Sequence, residues 1–446
     1  MQHEDHVHMS RREFVRGAAT AGAAVAGLSL VRSAHAAGND ALRVGLIGCG
    51  SRGIGAAANA MEADAGVRLA ALADLFADRA EDARSHLKDR WPEQVTATRD
   101  DCFAGLDAYR RVIEASDVVL IANAAKFHPL QLSAAIEAGK HVFIEKPHAI
   151  DPAGIQEAAR ALDLAREKGL GVLSGLQSRF QADIQETIQR IHDGQIGDIV
   201  AIDERWLRAP YFGATLKHRP EGMREIEIQY GSQYRFAWLC GDDVTQTLVH
   251  NLDRAAWALG DRPPVRCYGM GGRSGEPLFG DVFDHHAVVY EYASGVRVYA
   301  KCRTTQDCYD ENASVIMGTK GAAYVREGRI TGENPWEFSG EVPDPYRAEH
   351  RAFFQSIRDG EPLHCGDYMT RGTLMSIMGQ LSCYSGQEIT WDEAAQSDYC
   401  FGPAVEACKW DMAPPTGPDP DGVYPVPAVP GVADGVWPIA YGRGAK

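Results

Sequence analysis

At 446 residues and a net charge of −16, with 61 acidic side chains against 45 basic ones, the chain is too long for one ordinary core and too acidic to take nucleic acid or an anionic membrane surface as its partner. Its hydrophobic content of 45 % is that of a globular protein, and its ten cysteines form no Cys-x-x-Cys and show no zinc-ligand spacing with histidine, so no metal is expected.

Near the start, Ser10-Arg11-Arg12-Glu13-Phe14 precedes an alanine- and glycine-rich run from Gly17 to Val31, and Ala34-His35-Ala36 follows. Paired arginines, a mild apolar stretch and an A-x-A cleavage site read as a twin-arginine export signal over residues 1–36. His3, His6 and His8 fall in the discarded part. The apolar run is too short to span a bilayer, so the processed chain is expected free of the membrane, in the periplasm or outside the cell, with the export machinery as a transient partner. The leader carries four arginines and three acids, which leaves the remainder more acidic still. Folding in a reducing compartment before export favours free, buried thiols, with Cys302 and Cys308 the pair most able to bridge afterwards.

Residues 40–176 alternate strand and helix, the pattern of a doubly wound parallel sheet. Strands are predicted at Val44–Ile47, Leu69–Ala73, Val118–Ala122, His141–Ile144 and Gly171–Ser174, and helices at Ala108–Glu114, Pro129–Ala138 and from Asp151-Pro152 to Lys168. In the last of these Asp151 caps and Pro152 takes the first helical position, where no donor is lost. The first strand runs into Gly48-x-Gly50-x-x-Gly53 and a helix of small residues. Gly48 permits the tight turn, Gly50 the approach of a pyrophosphate, and Gly53 close packing of helix on strand. Ser51 and Arg52 open the helix whose amides face the phosphates. The second strand ends in Asp74, about 20 residues beyond, as a dinucleotide fold requires. A carboxylate there receives the adenosine ribose hydroxyls and repels a 2′-phosphate, which favours NAD over NADP; Arg79, close by in the chain, complicates that choice.

The pattern changes over residues 177–400. Ile199–Trp206, Ala287–Tyr292, Val296–Cys302 and Ala313–Met317 read as long strands with alternating faces, and Asp344–Asp359 and Thr370–Gly386 as late helices. Together they predict an α+β domain with a large, open, mostly antiparallel sheet. Residues 401–446 are rich in proline and glycine without periodicity and are expected to wrap the surface or stay partly disordered.

Two further motifs carry chemistry. His141-Val-Phe-Ile-Glu145-Lys146-Pro147 puts a lysine at the carboxyl edge of the parallel sheet, the ligand edge of such folds, where an amine can move a proton. Gly241 to Leu259 reads as an amphipathic helix on which Gln246, His250 and Asp253 share a face. His250 serves as acid or base, oriented by Asp253 or Gln246. A metal site from Asp242, His250, Asp253 and His285 is the weaker use of the same residues.

Together the three motifs resemble the Gfo/Idh/MocA family of sugar and polyol oxidoreductases. So do the Asn123-Ala-Ala-Lys-Phe-His128 loop and Gly175-Leu-Gln177-Ser-Arg179-Phe, where the chain crosses domains. The resemblance implies a Rossmann domain followed by an α/β domain whose open sheet carries the substrate face and a homo-oligomer contact. It implies Lys146 and His250 as the catalytic pair. Gly48, Gly50, Gly53, Asp74, Asn123, His128 and Glu145 become cofactor contacts, joined by Ser51, Arg52 and Lys146. Arg179, Gln246, Asp253 and His285 are the candidate contacts to a carbohydrate substrate. The family often has aspartate where this chain has Gln246, which can position a hydroxyl but not take its proton. His250 and Lys146 must then divide the acid–base work, or recruit Tyr230, Tyr234 or His285. Export with the cofactor already bound predicts tight binding of NAD and chemistry that regenerates it on the enzyme. Hydride transfer at a secondary hydroxyl of a sugar or cyclitol leads. A redox-neutral, NAD-dependent glycoside hydrolase and a non-catalytic NAD- or sugar-binding protein stand beside it.

Overall fold

The structure is a computed structural model that describes residues 41–210, 222–274 and 279–430; residues 1–36, expected to be an export signal, and the end of the tail lie outside the described residues. The first half of the described chain runs β1 (Leu42–Ile47), α1 (Ser51–Ala63), β2 (Val67–Asp74), α2 (Ala77–Arg90), β3 (Cys102–Ala104), α3 (Tyr109–Ala115), β4 (Val118–Ile121), α4 (His128–Glu137), β5 (His141–Ile144), α5 (Pro152–Lys168) and β6 (Val172–Ser174). The six strands lie in the order β3-β2-β1-β4-β5-β6, and every neighbouring pair is parallel. Parallel strands are covered on both faces, which is why β4 is apolar throughout and fully buried. Helices α1 and α2 cover one face, and α3, α4 and α5 the other. Asp151 caps α5 by accepting from the Gly154 amide at 2.8 Å, and Gly169 ends it at φ 65°. Strand β3 has three residues, too few for a sequence pattern to mark it.

The second half adds α6 (Ala182–His192), β7 (Ile199–Arg208), a π-helical turn (Val244–Leu248) continuing into α7 (Val249–Ala258), and β8 (Arg266–Gly272), β9 (His285–Glu291), β10 (Arg297–Thr304), β11 (Glu311–Gly318), β12 (Gly321–Tyr324), β13 (Arg329–Gly332) and β14 (Trp336–Glu337). It continues with α8 (Pro345–Arg358), α9 (Gly366–Ser385) and β15 (Ile389–Thr390), and a short helix over Trp391–Gln396 follows. The nine strands are ordered β14-β13-β12-β11-β7-β10-β9-β8-β15, antiparallel except where β10 runs parallel to β7. Strict alternation in β10 buries Val298, Ala300 and Cys302 and exposes Arg297, Tyr299 and Lys301. Buried residues of α7 and α9 join the inner face in one core. The outer face shows Tyr268, Met270, Tyr299 and Met317 to solvent.

The chain then returns to its first half. Phe353, Phe354 and Ile357 of α8, with Cys365, are part of the core beneath the parallel sheet, and β6 is extended by a bridge between Val172 and His364. All ten cysteines are free thiols, with Cys302 buried and Cys308 exposed. Among the described residues no helix is long and apolar enough to cross a membrane.

Candidate active site

The loops that follow β1 to β4 converge at the carboxyl edge of the parallel sheet, around a cleft of about 430 Å³. A Cβ on Gly48, where φ is +93°, would lie 2.6 Å from the Asn123 nitrogen, and one on Gly53 only 1.8 Å from the Gly48 oxygen. A Cβ on Gly50 would meet nothing within 4 Å. Two glycines are therefore closed in by protein, and the middle one faces open space. Gly50 is the N-cap of α1, with no side-chain cap and no acid in the first turn, so the helix amides and its dipole are left for an anion. Asp74 lines the same cleft and accepts from the Cys49 amide at 2.8 Å and the Phe76 amide at 3.1 Å. Arg79 also lines it, with its guanidinium 4.6 Å from the Phe76 ring centroid and donating to the Gly231 oxygen at 3.1 Å. Asn123 lines the cleft, and its side-chain oxygen is buried without a partner. An open glycine, an uncapped helix end, a ribose-side carboxylate and an orphaned amide oxygen are the features a dinucleotide completes.

Ser51 and Arg52 line the cleft as well. Arg52 forms an ion pair with the buried Glu145 at 2.8 Å and lies over the Tyr346 ring, so Glu145 acts on the helix start through Arg52. His128 stands behind the cleft. Its Nδ1 lies 2.7 Å from the Pro147 oxygen and its Nε2 3.2 Å from the Asn123 oxygen, and burial pushes it down to about 4. It is a neutral clip between the loops after β4 and β5.

A second, smaller hollow of about 40 Å³ continues from the cleft through Tyr234 and Arg235, with Arg208, Asp243, Gln246 and Thr304 on its walls. Lys146 donates to the Gln246 carbonyl oxygen at 2.8 Å, across a cis Lys146–Pro147 peptide and inside the π-helical turn. Desolvation lowers the Lys146 ammonium below the usual lysine range, against the pull of Glu145. His250 follows on α7, buried, with no hydrogen-bond partner at Nδ1. Burial, reinforced by the Lys146 charge, holds its imidazole well below the usual histidine range. Lys146, Gln246 and His250 thus come together from motifs a hundred residues apart in sequence.

Other candidates are placed elsewhere. Asp253 is locked to Arg179 at 2.8 Å and leaves His250 Nδ1 without a partner, and Arg179 also binds Asp261, between the rings of Trp257 and Tyr368. Both charges are spent in a structural knot. His285 pairs with Asp284 at 2.6 Å, with its side chain 44 % exposed. Strand parity gives the inward place to its neighbour His286, which is buried near Asp242. The Asp242 carboxylate is taken by the Tyr384 hydroxyl at 2.6 Å and the Phe283 amide at 2.9 Å, so it is not joined with His250, Asp253 and His285 at one point. No group of three or more metal-ligating side chains is found among the described residues. The Tyr230 hydroxyl points towards Lys409 and Met412, away from the hollow. Asp243 lies in the same motif, and nothing in its local sequence singles it out from Asp242. Arg208 and the Thr247 hydroxyl hold one of its oxygens at 2.6 and 2.7 Å, and the other is buried and bare.

A Rossmann sheet with a dinucleotide cleft at its carboxyl edge, and a lysine after β5 that meets the histidine-bearing helix of the second half, define a nicotinamide-dependent oxidoreductase. The family model "Oxidoreductase family, NAD-binding Rossmann fold" matches residues 42–176 and "GFO/IDH/MocA C-terminal domain" residues 184–324. The chain belongs to the Gfo/Idh/MocA oxidoreductases, and its cofactor is NAD. It is 24 % identical over 389 residues to inositol 2-dehydrogenase 3 of Saccharopolyspora erythraea, covering 86 % of this chain and 98 % of that one. In fold it matches scyllo-inositol dehydrogenase of Lactobacillus casei with a TM-score of 0.61 and 18 % identity, over 79 % of this chain and 98 % of that one. It also matches aldose-aldose oxidoreductase of Caulobacter crescentus with a TM-score of 0.59 and 20 % identity, over 78 % of this chain and 99 % of that one.

Proposed function

We propose that this oxidoreductase acts on a secondary hydroxyl of a sugar or cyclitol, with NAD tightly held and regenerated on the enzyme by a second carbohydrate. The observation that carries this is the hydrogen bond from Lys146 to the carbonyl oxygen of Gln246, a residue on the wall of the smaller hollow, with the buried His250 one turn further along the same helix. NAD, when bound, takes up or returns the hydride. The Lys146 ammonium, anchored on the Gln246 carbonyl, donates to the reacting oxygen and holds its developing charge. His250 is neutral and bare at Nδ1, and it receives the hydroxyl proton. Gln246 and the free oxygen of Asp243 bind neighbouring hydroxyls. The curated and structural relatives reported above are named for inositols and aldoses, which supports a polyhydroxylated substrate.

Export through the twin-arginine route and a homo-oligomer formed on the outer face at Tyr268, Met270 and Tyr299 belong to the same proposal. Replacing Arg11 and Arg12 together by lysine should strand the folded protein in the cytoplasm. The test of the chemistry is a panel of inositols, aldoses and aryl glycosides offered to the purified protein. A burst of NADH that a keto-sugar or aldose relieves supports the reading. Repeated release of aglycone without net NADH, with solvent deuterium entering the sugar, overturns it in favour of hydrolysis.

A further inference from the structure

The floor of the dinucleotide cleft is the Rossmann edge, but the wall opposite is not. Tyr230 to Arg235, from the second half of the chain, line the same cavity as Gly50 and Asp74. This roof is pinned to the floor where Arg79 donates to the Gly231 oxygen at 3.1 Å. Behind it lies Trp410, from the proline-rich tail. The Trp410 ring meets Tyr230 edge-on with centroids 5.5 Å apart, and Phe76 of the floor edge-on at 5.7 Å. One indole thus braces both walls from outside the cleft.

The tail that carries Trp410 is fastened along its length. At its start the Phe401 amide donates to Asp151 at 2.9 Å, and Lys126 donates to the Phe401 oxygen at 2.8 Å. In the middle Gln229 donates to the Thr416 oxygen at 2.8 Å, and at the far end the buried Tyr424 donates to Glu225 at 2.7 Å. Residues 401–424 therefore form a strap that holds the helix Glu225–Gly231 and the roof in place. Inside the cleft, the Tyr109 hydroxyl and the Gln131 side-chain oxygen are buried without partners. Orphaned polar atoms buried at the wall of a cleft are costly unless a ligand or water completes them.

We propose that Tyr230–Arg235, held by the tail strap, is the second wall of the NAD site, and that it encloses the adenosine half so that the cofactor stays bound through successive turnovers. Release requires the roof to part from Phe76 and Trp410. The barrier to that opening slows dissociation without any added contact to the dinucleotide. The proposal rests on NAD as the cofactor and is independent of which carbohydrate is oxidised.

The test uses the full chain and reads the nucleotide, not the reaction. Heat-released nucleotide from the desalted protein is identified and counted by mass spectrometry, and bound NAD is then chased with a large excess of deuterated NAD. The expected result is a stoichiometric complement that survives desalting and exchanges on the order of hours, the slow end of dissociation. Trp410→Ala and Tyr424→Phe are expected to exchange at least about tenfold faster, with unchanged circular dichroism. Tyr424→Phe loses a single hydroxyl and carries the test if Trp410→Ala does not fold. Exchange by the natural chain within the mixing time, or both variants exchanging as slowly as it does, overturns the roof. A chain with no bound nucleotide overturns the cofactor assignment together with it. Retained NAD released faster by the variants supports the roof even where no polyol is oxidised.

Discussion

Gly50 and Gly53 stand three residues apart and should answer oppositely to an added methyl. At Gly53 the new carbon would sit 1.8 Å from the Gly48 oxygen, so Gly53→Ala is expected to lower stability by about 3 kcal/mol, read in urea unfolding. At Gly50 it would meet no protein atom, so Gly50→Ala should melt like the natural chain yet lose NAD, because the methyl occupies the path of the pyrophosphate. Lys146→Ala and His250→Ala should each cost roughly two to four orders of magnitude in turnover with NAD retained. Since burial keeps His250 uncharged, the pH profile of kcat/KM should lack a limb near an ordinary histidine pKa of about 6.5; such a limb that His250→Ala removes would show the imidazole to be exposed. Asp281 offers a stability test. Burial, then repulsion from Asp242, raises its carboxyl from 3.8 to about 7. Between those values the unfolded chain has released a proton that the folded chain keeps, so stability falls as pH rises. Asp281→Asn keeps the acceptor for the Ala237 amide and removes that loss. It should gain on the natural chain by about 1.4 kcal/mol per pH unit from about pH 4 to about pH 7 and no further above it.

At the scale of elements, the parts legible in sequence are those whose chemistry is local. Asp151-Pro152 caps α5, and Gly169 ends it, as their residue types dictate. Strand β10 alternates as its pattern requires. The glycine loop, Asp74 and Lys146 lie where strand ends put them, because a parallel sheet delivers all its carboxyl ends to one edge. The unreadable parts depend on partners far along the chain. Arg179 and Asp253 look like substrate contacts until Asp261 and Tyr368 close around them. His285 and His286 differ only in strand parity, which a shift of one residue reverses. The π-helical turn at Val244–Leu248 breaks the four-residue spacing that set Gln246 and His250 on one face. Strand β8, with its run Gly269-Met-Gly-Gly272, lacks the branched residues that announce a strand, and pairing with β9 along its whole length, with β15 at its start, makes it one.

At the scale of the whole molecule, the Rossmann half does not own its core. A boundary near residue 176 follows the change of pattern in the sequence, and nothing local marks α8 as the helix that comes back. The apolar stripe of α8 packs against α1 and the underside of the parallel sheet, with Phe353 and Phe354 fully buried there. Gly171 has no room for a side chain because Phe353 lies 3.0 Å from where its Cβ would be. The segment Leu363–Cys365 then adds backbone hydrogen bonds of 2.9 and 2.8 Å to Val172 at the sheet edge. A fragment ending at residue 176 would expose both surfaces. It should be insoluble or molten, with weak near-ultraviolet dichroism, and should bind no NAD although every glycine-loop residue is present. In the full chain, Phe353→Ala should cost roughly 3–5 kcal/mol and lower the NAD content together with the melting temperature, since the same helix supplies Tyr346 beneath Arg52. A well-folded 41–176 fragment that binds NAD would show the two halves to be independent, and the coupling through α8 would then be packing without consequence for the cofactor site.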